Sequence, residues 1–446
     1  MSTLNVDKVD PSTGTALEIG SSGDTITVPS GATLTTTSAT LNLPTTITAT
    51  TEVKTNKVSP ATGTAFALGD SGDTFTVPSG ATIVNSGTAT GFGITSSSFL
   101  PTASPLWYNG DLQVAQRGTT ANISGTVSAY YTCDRWAFEL NDSSEWTQSQ
   151  DTDVPTGYGF AKSLKLDCTT LDATPVYTLL QQKFEGQDLQ VFKKGTSNAE
   201  KYTVAFWVKS VKTGTYICEL RDFDNNRTVS QAYTVDSGST WENKILNFPA
   251  DTTGAFGNDN NASLAVSFFL AVSSTYSSGS LATVWESRVN ANRAVGQVNL
   301  ADSTSNDFWI TGVQLEVGEY TSSDLPPFRH ETYAENLRRC FRYYEAKFTA
   351  NEAFFGPALC TSSSATVSAL EFSEKRTAPS CSLPTAILLT AVNGSAGAVT
   401  SSSTGAMSTT GGRFDAAVSG TGLASGNISF IQPNGDATGL KIDAEL

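Results

Sequence analysis

Residues 7–34 and 56–83 carry the same unit twice, first as DKVDPSTGTALEIGSSGDTITVPSGATL and then as NKVSPATGTAFALGDSGDTFTVPSGATI. Roughly two-thirds of the paired positions are identical. A near-copy within one chain points to a stacked or fibrous architecture rather than a lone globule. In the first copy Leu17 and Ile19 lie two apart, as do Ile26 and Val28, so each pair shares one face of a strand. The stretches at 10–14, 20–24 and 29–31 supply the Gly and Pro that tight turns need. Apolar content is thin: Val9, Leu17, Ile19, Ile26 and Val28 are nearly all of it. Burying one such side chain gains about 1.5–3 kcal/mol, while ordering one residue costs about 1–2 kcal/mol of backbone entropy. One unit therefore cannot close a core alone. The expectation for residues 1–98 is an intertwined β shaft in which three copies of the chain share an axis. The connector at 35–51 fits it, with Leu41, Leu43, Ile47 and Ala49 alternating with Thr and Asn.

Charged residues make up only 15% of the 446, their place taken by Ser, Thr, Gly and Asn, a composition suited to short strands and turns. A formal charge of −15 with no basic stripe disfavours nucleic acid and anionic membranes. No apolar run is long enough to insert into a bilayer. The first residues, MSTLNVDKVD, lack the basic and apolar regions of a secretion signal, so synthesis in a cytoplasm is expected. Six scattered cysteines (133, 168, 218, 340, 360 and 381) show no metal-like spacing and read as buried free thiols.

From Pro105 onward Trp and Tyr become frequent and strands are legible. Tyr202, Val204, Phe206 and Val208 face one way; Tyr216, Cys218 and Leu220 repeat the pattern, as do Leu264, Val266, Phe268, Leu270 and Val272. Phe308, Ile310 and Leu315 belong to a last pair of strands broken at Gly312. Strands at this spacing predict a two-sheet sandwich or jelly roll over 99–332. Residues 333–347 form the best helix candidate, with Leu337, Cys340, Phe341 and Tyr344 on one face. This helix links the sandwich to a C-terminal β domain within 333–446. Strands are expected there near 354–359, 366–372, 386–392 and 428–431, with Gly- and Ser-rich loops such as 395–412 between them.

Two segments, NGDLQVAQRG at 109–118 and YTCDRW at 131–136, resemble the opening of a module common in phage tail fibres and related virion proteins. The runs ITGVQLEVG at 310–318, PFRH at 327–330 and RCFRYY at 339–344 are similar to its close, and IDAEL at 442–446 to the ends of the same proteins. The N-terminal units resemble repeats at the front of marine phage fibre proteins. The resemblance covers most of the chain and implies a virion fibre or spike, usually homotrimeric, with a carbohydrate-binding-like jelly roll. Family members tend to have Glu before the His, where this chain has Arg329.

The sole histidine, His330, has no nucleophile or orienting acid near it in sequence and reads as structural. A zinc site with the usual His ligands is disfavoured for the same reason. Asp222, Asp224 and Asp259 lie in oxygen-rich loops that could hold a structural calcium, although their spacing matches no EF-hand. Sugar rings stack on flat aromatic faces, and Trp146, Tyr158, Tyr276 and Trp285 lie in or beside polar, loop-like segments, which makes them the candidate glycan-binding residues. Trp136, Trp207 and Trp309 sit in strands and read as core.

The sequence reading is thus an all-β, non-enzymatic virion fibre protein: an N-terminal shaft that attaches to tail or capsid proteins, a jelly roll and a C-terminal domain that bind host-surface polysaccharide. Its alternatives are a purely structural virion component, such as a head fibre or tail-associated spike, and a polysaccharide depolymerase, whose paired carboxylates would come from distant strands.

Overall fold

The computed structural model describes residues 105–349, 356–384, 387–391, 396–418, 423–433 and 439–446, together with six isolated positions between Val9 and Ser30. The chain divides into two units, Met1–Ala89 and Thr90–Leu446. The duplicated units, the connector and the expected trimeric shaft lie outside the described residues. Within the first unit Val9, Ile19 and Val28 are described and exposed, at 50%, 66% and 46%.

The sandwich is built from β1 (Thr120–Ile123), β2 (Val127–Tyr130), β3 (Ala137–Asn141), β4 (Glu145–Asp151), β5 (Ser163–Thr170), β6 (Tyr177–Glu185), β7 (Tyr202–Ser210), β8 (Gly214–Asp222), β9 (Arg227–Val235), β10 (Glu242–Phe248), β11 (Ala262–Val272), β12 (Glu286–Ser287) and β13 (Asp307–Val317). They form a six-stranded sheet, β1-β4-β5-β13-β7-β10, and a seven-stranded sheet, β12-β9-β8-β11-β6-β3-β2. Neighbouring strands are antiparallel throughout, in a jelly-roll-like arrangement. The expected alternation holds: Tyr202, Val204, Phe206 and Val208 from β7 meet Tyr216, Cys218 and Leu220 from β8 and Leu264, Val266, Phe268 and Leu270 from β11 in one core. Val272 departs from the pattern. A register shift between Phe269 and Ala271 turns it to the outer face, where it packs beside Leu179, Ile217 and Phe269.

The expected pair of strands around Gly312 is a single strand. β13 runs unbroken for 11 residues with a bulge between Thr311 and Gln314, where Gly312 takes φ +62°. A Cβ at Gly312 would meet the Phe160 ring at 2.5 Å, so glycine is required for contact as well as for backbone.

The helical prediction is half fulfilled. Helix α2 (Tyr333–Phe341) follows a one-turn helix, α1 (Ser274–Ser277), and opens on a capping box formed by Thr332 and Glu335. It stops at Phe341, and Tyr344 belongs to the next strand, so the expected four-residue apolar face is cut short; Asn336 and Cys340 are its buried residues. The C-terminal strands are β14 (Tyr344–Lys347), β15 (Gly356–Cys360), β16 (Ala365–Glu371), β17 (Ser380–Ser382), β18 (Ile387–Ala391), β19 (Ala396–Gly405), β20 (Gly411–Val418), β21 (Ile428–Pro433) and β22 (Leu440–Asp443). β15-β16-β20-β19-β18-β21 close into a barrel, and β14-β22-β17 form a small sheet beside it. The Gly/Ser-rich stretch expected as loop is largely β19 and the start of β20, because the closed barrel satisfies its main chain on both edges.

The motifs that carried the family resemblance build the joint between the sandwich and the C-terminal strands. Asn336 of α2 donates to Asp111 (3.1 Å), and Arg342 grips Glu185 through two bonds of 2.7 and 2.6 Å. Arg135 is wholly buried: it pairs with Glu445, donates to the Lys183 carbonyl and lies 3.5 Å above the Tyr343 ring. Arg117 reaches Asp443 (3.1 Å) and Glu445 (3.4 Å) from above the Tyr344 ring. Asp134 accepts from the Gln116 backbone at 3.0 Å and from its side chain. Burial pushes the Asp134 carboxyl up to about 6, and nearby Arg117 offsets only part of that.

Candidate functional site

Strand alternation decides which side chains leave the core. With Tyr202, Val204, Phe206 and Val208 inward, Ala205, Trp207 and Lys209 of β7 must point outward. Across the ladder Asn243 lies opposite Trp207 and Ile245 opposite Ala205 on β10, while Gln314 of β13 pairs with Ala205 on the other side. These residues floor a groove on the outer face of the six-stranded sheet.

The groove has a volume of about 400 Å³, within the range of small-ligand clefts. One wall is the loop between β4 and β5, with Tyr158 between two glycines of positive φ, Gly157 (+89°) and Gly159 (+81°). Tyr158 is 56% exposed and its ring lies 4.2 Å from that of Trp207, tilted by 48°. The other wall is the segment after β13, with Leu325, Pro326, Pro327, Phe328 and His330. Phe160, Phe328 and His330 form a ring cluster with centroids 4.9–5.1 Å apart, and Phe160 fills the gap left by Gly312. Two amides give the floor its polarity. Gln314 donates to the Pro326 carbonyl (3.0 Å), which leaves its buried oxygen without a partner, and Asn243 donates to the Phe206 carbonyl (3.3 Å). Among the described residues, no carboxylate, lysine or arginine lines the groove. An aromatic wall over amide groups suits an uncharged ligand with a flat apolar face and hydroxyl edges.

Beyond Trp207 the same sheet face carries a second aromatic set whose polar atoms are already engaged. Lys209 lies 4.1 Å above the Trp309 ring and pairs with Asp153. The indole N–H groups of Trp309 and Trp241 donate to Asp151 (3.0 Å) and Asp153 (2.9 Å).

Of the four aromatics singled out from sequence, only Tyr158 lies in this groove. Trp146 is fully buried in the sandwich core, its indole donating to Ser144 (2.8 Å), and Trp285 is 8% exposed with its indole on the Pro249 carbonyl (2.8 Å). Neither can offer a face to a sugar; their polar flanks mark strand ends, not exposed loops. Tyr276 belongs to the other sheet's outer face, edge-on to Tyr177 at 5.4 Å. Trp207, read from sequence as core, faces outward, whereas Trp136 is buried as expected. His330 is exposed at the groove rim.

The calcium candidates are not gathered around one point. Asp222 is buried and bonded to the Lys194 ammonium at 2.7 Å, and that ammonium also meets Asp251 (3.0 Å) and the carbonyls of Thr253 (2.9 Å) and Gly254 (2.7 Å). The internal cation therefore fills the oxygen cage to which Asp222 belongs. Asp224 and Asp259 are exposed; Asp224 accepts from the Gly257 N–H, and Asp259 from Asn261. Among the described residues, no group of three or more His, Cys, Asp or Glu side chains is placed to hold a metal. All six cysteines are free, and five of them are buried.

No protein-family model matches the chain, and no curated protein does. Solved structures similar to it include the enzymatically active domain of tailspike protein 4 from bacteriophage CBA120 (15% identity, TM-score 0.26, 48% of this chain and 21% of that one). The family 11 carbohydrate-binding module from Clostridium thermocellum, in complex with a β-1,3-1,4-mixed-linked tetrasaccharide, is also similar (10% identity, TM-score 0.23, 46% and 98%). So is TmCBM61 in complex with β-1,4-galactotriose (10% identity, TM-score 0.20, 48% and 99%). The chain thus spans about a fifth of the tailspike structure it matches. Likeness this distant bears on neither activity nor ligand.

Proposed function

We propose that this chain is a phage virion fibre protein that recognises a neutral glycan on the host surface through the groove at Tyr158 and Trp207. The observation that carries this reading is the exposed Tyr158 ring set against the half-buried Trp207 indole, in a cleft whose described lining holds no carboxylate, lysine or arginine. We read the role as binding, which the aromatic and amide lining of the groove supports. The virion assignment rests on the tail-fibre motifs at 109–118, 131–136 and 310–318. The N-terminal units trimerise and attach the fibre to the tail or capsid. In support, three of the few apolar residues of the first unit stand exposed on a single chain. Three grooves per fibre would raise avidity without new contacts.

The test is binding of the full chain to a glycan array and to host cells, paired with its mass in solution. Binding to neutral glycans by a trimer is expected. A flat array and no cell binding would favour a purely structural fibre, a monodisperse monomer would end the shaft model, and release of reducing ends from host polysaccharide would identify a depolymerase.

A further inference from the structure

On the outer face of the seven-stranded sheet, Arg221 of β8 stands in a row of short side chains, opposite Thr228 on one side and Ala265 on the other. Arg293, brought in by the segment after α1, donates twice to Glu219 at 2.6 Å and so uses that carboxylate. Glu219 also accepts from Thr228 (2.6 Å). Arg288, just beyond β12, approaches the same cluster. Among the described residues its guanidinium has no ion pair, and its buried Nε has no hydrogen-bond partner. Arg221 likewise has no ion pair or hydrogen bond for its guanidinium, which lies 4.4 Å from the Phe223 ring.

Nearby acids offset the positive charge only in part, through the field of Glu139 and without an ion pair to Arg221 or Arg288 among the described residues. Glu139 is held by Gln181 and Ser128, and Glu286 by Asn292 (2.8 Å). Three guanidiniums thus face two carboxylates, Glu219, committed to Arg293, and the more distant Glu139, in a chain of net charge −15. Burial and then Arg293 lower the proton affinity of both Arg221 and Arg288, and Glu219 opposes this in each. Most other arginines of the sandwich are paired: Arg117, Arg135, Arg227 and Arg329 each meet a carboxylate. Tyr276 borders the cluster, half-buried, with its ring 5.4 Å from the Arg293 guanidinium.

We propose that Arg221 and Arg288, with Tyr276 beside them, form a second carbohydrate site, one that takes the carboxylate or sulfate of an acidic sugar. Each guanidinium fork matches a planar or tetrahedral oxyanion through two donors, and the tyrosine ring supplies a face for the pyranose. The site lies on the opposite sheet from the groove and does not depend on it.

Isothermal titration of the full chain with glucuronate, glucose and inorganic sulfate tests the assignment. In the Trp207→Ala chain, where the groove is disabled, glucuronate should bind and glucose should not. Arg221→Gln combined with Arg288→Gln should weaken glucuronate about tenfold or more, while Trp207→Ala should leave it unchanged. Equal binding to wild type and double variant overturns the proposal, as does glucose binding to Trp207→Ala as well as glucuronate. Inorganic sulfate binding as tightly as glucuronate would remove the sugar from it. If the double variant loses its far-ultraviolet spectrum, Arg288→Lys replaces it. That change keeps the charge and removes the fork, so unaltered affinity there also refutes the site.

Discussion

Replacing Trp207 with alanine separates binding from folding. Its indole lies on the outer sheet face, against Tyr158 at 4.2 Å and outside the sandwich core. The folded chain loses one aromatic pair, about 0.5–1.5 kcal/mol. A ligand stacked there loses the burial of a large ring, about 1.5–3 kcal/mol, which corresponds to roughly tenfold to 150-fold in affinity. Trp146→Ala supplies the contrast: that ring fills the core with no exposure, and its removal should cost about 3–5 kcal/mol of stability. Affinity electrophoresis in gels containing the preferred polysaccharide, with urea unfolding alongside, measures both quantities. Trp207→Ala should lose retardation at nearly full stability, and Trp146→Ala should unfold early. Undiminished retardation of a folded Trp207→Ala variant would refute the groove as the binding surface.

Further outcomes follow from the joint and from the loops. Glu445→Gln leaves the fully buried Arg135 without its carboxylate, which should cost about 3–5 kcal/mol in urea unfolding. Asp134 gives a pH signature: its folded value near 6 lies above its ordinary 3.8, so its contribution is fully present below pH 3.8 and lost as pH rises through 6. The stability of wild type relative to Asp134→Asn should therefore fall by about 3 kcal/mol between pH 4 and pH 7 in parallel urea titrations. Calcium should leave the melting temperature unchanged, because the Lys194 ammonium holds Asp222; a rise that saturates with added calcium would contradict this.

The sandwich was legible because its strands bury one face each, and period two then shows in β7, β8 and β11 without tertiary knowledge. The same parity, carried one step further, would have placed Trp207 outside, since its neighbours Phe206 and Val208 are core. Burial of Trp146 and Trp285 was hidden, because polar residues on both sides describe a strand with one wet face as well as they describe a loop. β19 was missed for a different reason: a barrel wall of Ala, Ser, Thr and Gly is held by main-chain bonds and shows little apolar periodicity. The motifs at 109–118, 131–136 and 339–344 were visible as strings, but their partners lie more than two hundred residues away, as with Asn109 and Asn336 or Arg135 and Glu445. Nothing local reveals that such residues lock a joint.

The most direct measurement is a crystal structure of the chain with a neutral oligosaccharide chosen from the array. The account predicts a pyranose ring against Trp207 and Tyr158. A sugar bound elsewhere, with this groove empty, would contradict it.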